Sequence, residues 1–126
     1  MPSINQSTAD ASIDLDGYKS HYATAGAMTV TIEHYIDTSD PSSLFVGLPD
    51  DACQCPHWGF VQAGRMAFHY TDGSVETIEA GSAYYIPPGH VPVEYAAGTH
   101  VVEISPTDAL NQTMEVVMAN VAKAAS

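Results

Sequence analysis

The sequence predicts an all-β barrel or sandwich followed by one C-terminal helix, and three observations carry that expectation. Short runs with strand-like alternation recur between Met28 and Ile104. Turn signals separate them at intervals of about eight to twelve residues, the spacing of antiparallel all-β folds. After Ser105-Pro106 the apolar residues recur at three- and four-residue spacing, which is the pattern of an amphipathic helix.

The clearest strand runs from Met28 to Ile36. Met28, Val30, Ile32, His34 and Ile36 alternate with Thr29, Thr31, Glu33 and Tyr35, a period of two. The apolar set is expected to face inward, which would turn His34 towards any cavity. Asp37 to Ser43, with Asp40-Pro41 inside it, reads as a loop, and Leu44 to Leu48 is a short apolar run ended by Pro49-Asp50-Asp51. Further strands are expected at Trp58 to Gln62, Met66 to Tyr70, Val75 to Ile78, Ala83 to Ile86, Val91 to Tyr95 and Thr99 to Ile104. Asp72-Gly73 between two of them is a hairpin signal, because both tight-turn positions favour positive φ. Met1 to Gly17 is polar and without period, and reads as a loose arm. The expected organisation is one domain over residues 1–126: arm 1–17, barrel 18–105, helix 106–124. Leu110, Met114, Val117, Met118 and Val121 form one helical stripe, expected to pack on the barrel or on a sister subunit.

Composition narrows the function. A chain of 126 residues with 45% hydrophobic content suits one globular domain. Three Lys and Arg against fifteen Asp and Glu give a formal charge of −12. Nucleic acid is therefore a poor partner, since duplex binding depends on Lys and Arg neutralising phosphates, and an anionic membrane is disfavoured for the same reason. A small substrate or a cation remains compatible with the negative field. No run supplies the roughly 18 apolar residues of a spanning helix. The polar start of the chain lacks the basic and apolar regions of a signal peptide, so a cytoplasmic location is expected. Cys53 and Cys55 have only Gln54 between them. A disulfide across one residue is strained, so the pair reads as a metal site or a redox pair.

Between Asp51 and Glu94 the sequence resembles the cupin superfamily. Gly81-x5-Pro87-x-Gly89 matches the start of the second cupin motif, G-x5-P-x-G-x2-H-x3-N. Counting back from Gly64, the glycine that ends the first motif, sets His57 at that motif's glutamate and Asp51 and Cys53 at its two histidines. The resemblance covers roughly residues 44 to 105 and implies a cupin-type β-barrel, jelly-roll-like, with a homodimer as the common assembly. Common cupins carry three histidines and a glutamate around one metal. This chain matches none of the four by residue type, and Pro92 and Ala96 stand where the second-motif histidine and asparagine belong. It is similar to a variant subgroup reading Cys-Gln-Cys-Pro-His-Trp-Gly and Pro-Pro-Gly-His.

Residue chemistry points to a metal independently. Cys53, Cys55 and His57 share strand parity, but the outer two of three such residues lie ~13 Å apart on a straight strand. All three can meet one ion only if the chain bends, which Pro56 permits. Two of them with His90 make a three-ligand set with an open position, as in catalytic sites. Thiolate with imidazole suits a divalent zinc, iron or copper ion. Glu94 is the candidate proton carrier, and Trp58, Phe60, Tyr84 and His34 are candidate ligand-binding residues. The expected function is a metal-centred cavity acting on, or binding, a small organic molecule. The alternatives are a non-catalytic ligand or metal sensor, and a thiol redox protein using Cys53 and Cys55.

Overall fold

The computed structural model describes residues 3–125. Nine strands precede one helix: β1 Ala11–Leu15, β2 Tyr18–Ala25, β3 Met28–Tyr35, β4 His57–Ala63, β5 Arg65–Tyr70, β6 Val75–Glu79, β7 Ala83–Ile86, β8 His90–Tyr95, β9 Thr99–Pro106 and α1 Thr107–Ala125. They form a six-stranded sheet in the order β1-β2-β3-β9-β4-β7 and a three-stranded sheet in the order β6-β5-β8, with every pairing antiparallel. The architecture is a two-sheet sandwich.

The expected strands from β3 to β9 are present. β1 and β2 occupy the N-terminal stretch that lacked a convincing period, so the arm expected over 1–17 is ordered as a strand at Ala11–Leu15. Its first two residues lie outside the described residues. Gly17, with φ +79°, makes the turn between these strands. Asp16-Gly17 is the same hairpin signal as Asp72-Gly73, and β1 is too short for its alternation to stand out. Leu44 to Leu48 is not a strand: a 3-10 turn covers Ser42–Phe45. Pro106 ends β9 and does not begin the helix, which starts at Thr107.

The two sheets close on a core of Val61, Met66, Phe68, Ile78, Ile86 and Val101. At the other end they do not meet, and α1 roofs the space left between them. Two hydrogen bonds start that roof: Thr107 N donates to Ala27 O (3.0 Å), and Thr107 Oγ1 lies 2.8 Å from Thr29 Oγ1. Near its far end Asn120 Nδ2 donates to Leu44 O and Val46 O, both at 2.8 Å. The helical stripe lies over the sandwich as expected, and it also lines the enclosed space through Leu110, Met114 and Val117.

β3 faces the opposite way from expectation. Thr29 and Tyr35 are buried and Glu33 lines the enclosed space, whereas Ile36 is exposed. The apolar set lies on the outer surface of the sheet. The physical reason is that the space behind β3 is an unfilled cavity into which Thr31, Glu33 and Tyr35 point, and not a filled hydrophobic core.

Candidate metal centre

The enclosed space is a cavity of about 680 Å3. That volume falls within the range of small-molecule sites, about 300–1,000 Å3. On its wall Cys53, His57 and His90 come together, with one ligand atom of each within 4.8 Å of the other two. All three are buried.

Local chain geometry explains the convergence. Cys53 and His90 are joined by backbone pairing: Cys53 N donates to His90 O and Gly89 N donates to Cys53 O, both at 2.8 Å. The second bond requires the turn at Pro87-Pro88-Gly89, where Gly89 sits at φ +92°, a region unfavourable to residues with a Cβ. His57 opens β4 after the irregular Gln54-Cys55-Pro56 segment, which brings its Nε2 to 3.6 Å from Cys53 Sγ.

Both imidazoles are held through Nδ1, with Nε2 left as the nitrogen available to an ion. Pro87 O, which can only accept, lies 2.7 Å from His90 Nδ1, so the ring proton is on Nδ1. His57 Nδ1 lies 2.7 Å from Ser105 Oγ and 3.4 Å from Glu103 Oε2. Orientation of this kind is the usual support of a metal-bound histidine. Burial holds both histidines down to about 4, so each is neutral and able to ligate at physiological pH. Burial also pushes the Cys53 thiol up, partly offset by the Thr113 hydroxyl 3.5 Å from its sulfur.

Cys55 does not join the cluster. It is buried, its Sγ faces Pro56 O at 3.3 Å and Pro106 O at 4.0 Å, and burial followed by the neighbouring Cys53 pushes its thiol up to about 12. The bend that brings Cys53 to His57 turns the intervening cysteine away. Glu94 is not at the cavity either: it pairs with Arg65 at 3.2 Å on the surface. Trp58 and Phe60 are 43% exposed on the outer face, where Trp58 packs on Tyr85. His34, expected to face inward, stacks outside on His100 at 3.9 Å. Tyr84 faces inward but does not border the cavity: its hydroxyl donates to Glu103 Oε1 at 2.7 Å. That bond depends on Gly59, since a Cβ there would lie 2.5 Å from Tyr84 Oη.

Sequence reasoning missed two carboxyls. Glu33 and Glu103 border the cavity on adjacent strands. Burial raises the pKa of both, and the nearness of Glu103 raises Glu33 further. Tyr18 and Tyr35 hydroxyls both donate to Glu33 Oε2, at 2.7 and 2.9 Å. The signal was present in the sequence: each glutamate interrupts an otherwise strand-forming run, Thr-Ile-Glu-His-Tyr and Val-Val-Glu-Ile-Ser. A carboxyl in such a position needs partners or a function.

No helix among the described residues is long and apolar enough to cross a membrane. No family model and no curated protein matches the chain. Solved structures do. An RmlC-like cupin from Shewanella frigidimarina is 15% identical, with a TM-score of 0.53 over 81% of this chain and 87% of that one. A deletion mutant of Bacillus subtilis oxalate decarboxylase is 10% identical, with a TM-score of 0.57 over 79% of this chain, which spans 28% of that longer protein. At these identities the likeness is one of fold. The chain therefore has a cupin-type fold.

Proposed function

We propose that this chain is a metal-dependent enzyme on a small organic molecule, with one divalent zinc, iron or copper ion held by Cys53, His57 and His90. The observation that carries the reading is the convergence of these three donors on the wall of a cavity of molecular size. The donors fit such an ion: one sulfur and two neutral imidazoles match borderline transition metals better than magnesium or calcium. Three protein ligands also leave a position for water or substrate, unlike the closed four-ligand sets of structural sites. When bound, the ion supplies Lewis-acid polarisation or a water of lowered pKa.

The protein's own groups have distinct parts in this reading. Cys53 gives up its thiol proton on becoming a ligand, so metal affinity falls as pH falls. The Pro87 carbonyl keeps the His90 ring proton on Nδ1, Ser105 holds the His57 ring at its Nδ1, and Glu103 adds a carboxyl group behind His57. Thr113 brings a hydroxyl to the sulfur, and Leu110, Met114 and Val117 of α1 form one wall of the cavity. The thiol redox alternative draws no support, because both thiols are pushed up and reactivity needs the thiolate. A non-catalytic sensor would need a site saturated by protein donors, and the cluster offers three. Titrating metal-free protein with cobalt(II) tests the reading. A thiolate-to-cobalt charge-transfer band that saturates near one ion per chain is expected, and its absence, or its persistence in His57→Ala and His90→Ala, contradicts the site.

We also propose a homodimer in the cytoplasm, built on the outer face of the six-stranded sheet. Register aligns Val30, Ile104, Trp58 and Tyr85 across four strands, and Ile32, Val102, Phe60 and Ala83 beside them. In a chain with fifteen Asp and Glu, neither row contains one. Two copies of formal charge −12 can approach most easily through such a face, and a two-fold axis would pair it with itself.

A further inference from the structure

We infer that the cavity takes a small organic cation, a protonated amine on an apolar body, and that Glu33 receives its ammonium group. This rests on reading the cavity as a small-molecule site and names the class of molecule that fits it.

Charge is the first argument. Asp16, Asp37 and Asp40 border the cavity and are exposed, while Glu33 and Glu103 border it from within. No lysine or arginine borders it. Of the chain's three cationic side chains, Lys19 pairs with Asp14, Arg65 pairs with Glu94, and Lys123 lies near the end of α1. A carboxylate or phosphate ligand would find no counter-charge from the protein. A divalent ion at the cluster would be offset by the Cys53 thiolate and Glu103, leaving Glu33 and the acidic rim uncompensated.

The second argument is the valence of Glu33. Both tyrosine hydroxyls converge on Oε2, and no hydrogen bond among the described residues reaches Oε1. Glu103 differs, with Tyr84 on Oε1 and His57 beside Oε2. Oε1 is thus a carboxylate oxygen on the cavity wall with acceptor capacity not taken up by the tyrosines, and an ammonium group brings both donors and charge.

The third argument is the wall. Tyr18 packs against Tyr35 (4.9 Å between ring centroids), Tyr35 stacks on Tyr95 (3.8 Å), Tyr95 meets Phe68 (6.1 Å) and Phe68 meets His90 (5.6 Å). An unbroken aromatic series therefore runs from Glu33 to the metal cluster. Ring faces attract cations, most strongly where water is excluded. Leu110, Met114 and Val117 on α1 supply an apolar surface for the body of the ligand.

Three probes of one shape and different charge test this: benzylamine, benzyl alcohol and benzoate, titrated calorimetrically into the protein as purified and into chelator-treated protein, with metal content measured in each. The expected result is benzylamine binding at least about tenfold tighter than benzyl alcohol, with benzoate weakest. Glu33→Gln is expected to abolish that tenfold preference while its metal content stays unchanged. Equal affinity for the three probes, tighter benzoate, no benzylamine binding, or an undiminished preference in Glu33→Gln would overturn the inference. The charge series on the unaltered chain keeps the test decisive even if the variant folds poorly. An amine preference in protein that binds no metal would refute the metal centre and leave this inference standing.

Discussion

The two faces of the six-stranded sheet are offset by a single residue along each strand and differ in almost every property. On the inner face Thr31, Glu103, Gly59 and Tyr84 align across β3, β9, β4 and β7; on the outer face Val30, Ile104, Trp58 and Tyr85 do. The inner row is polar, hydrogen-bonded and turned to the cavity side of the sheet. The outer row is apolar, with Trp58, Tyr85 and Ile104 between 38% and 51% exposed. Alternation dictates that the faces differ, but it does not dictate which is enclosed. Around the cavity this sheet turns hydroxyl and carboxyl groups inward and leaves apolar residues on its outer face.

The largest effect should come from breaking the outer face. Trp58→Glu puts a carboxylate into the acid-free row and is expected to convert the dimer to monomer, measured by light scattering during gel filtration, with metal content unchanged. A monomeric unaltered chain would remove the dimer from the account. On the inner face, Ser105→Ala takes away the hydroxyl that orients His57 and should weaken metal binding by about 10- to 100-fold, read by competition with a chelator. Unchanged affinity would mean that Glu103 alone orients the ring.

Gly59 joins the two faces, so a methyl group there is a sharper probe. Gly59→Ala should crowd both the Val102 carbonyl oxygen and the Tyr84 ring and destabilise the fold by about 2 kcal/mol, measured by urea unfolding. A neutral outcome would show that Tyr84 can move without cost. The smallest effect is in pH dependence. Burial and Glu103 raise Glu33 from 4.5 to about 7, so its contribution to stability is fully present below 4.5 and is lost as pH rises through about 7. His57 and His90, lowered from 6.5 to about 4, act oppositely, their contribution being lost as pH falls from 6.5 to about 4. Glu33→Gln removes the first slope and leaves the second. Its melting temperature relative to the unaltered chain should rise as pH increases through that window. A difference that does not vary with pH would argue against a buried Glu33.

The strands from β3 to β9 were legible because glycine-containing turns punctuate them, and the helix because its stripe is regular. β1 and β2 were not: β1 is short, and in β2 the inward residues Tyr18, Ser20 and Tyr22 carry hydroxyls that line a cavity, so polarity carries no signature of burial. The same inversion misdirected His34, Trp58 and Phe60, which apolar-inward reasoning turned towards the site. Cys53, His57 and His90 were legible from donor chemistry and spacing. The exclusion of Cys55 was not, since it depends on how the chain bends at Pro56. Glu94 stood near the second motif in sequence, but β8 carries it to Arg65 on the surface. Glu33 and Glu103 interrupt strand-forming runs in the sequence, but that both border the cavity follows only once the inner face of the sheet is known.

The most direct measurement is the metal content of Cys53→Ser and Cys55→Ser, purified without chelator beside the unaltered chain. Zinc, iron or copper near one ion per chain is expected in the unaltered protein and in Cys55→Ser, with little or none retained by Cys53→Ser. Metal kept by Cys53→Ser and lost by Cys55→Ser, or none in the unaltered chain after reconstitution with reductant present, would contradict a centre built from Cys53, His57 and His90.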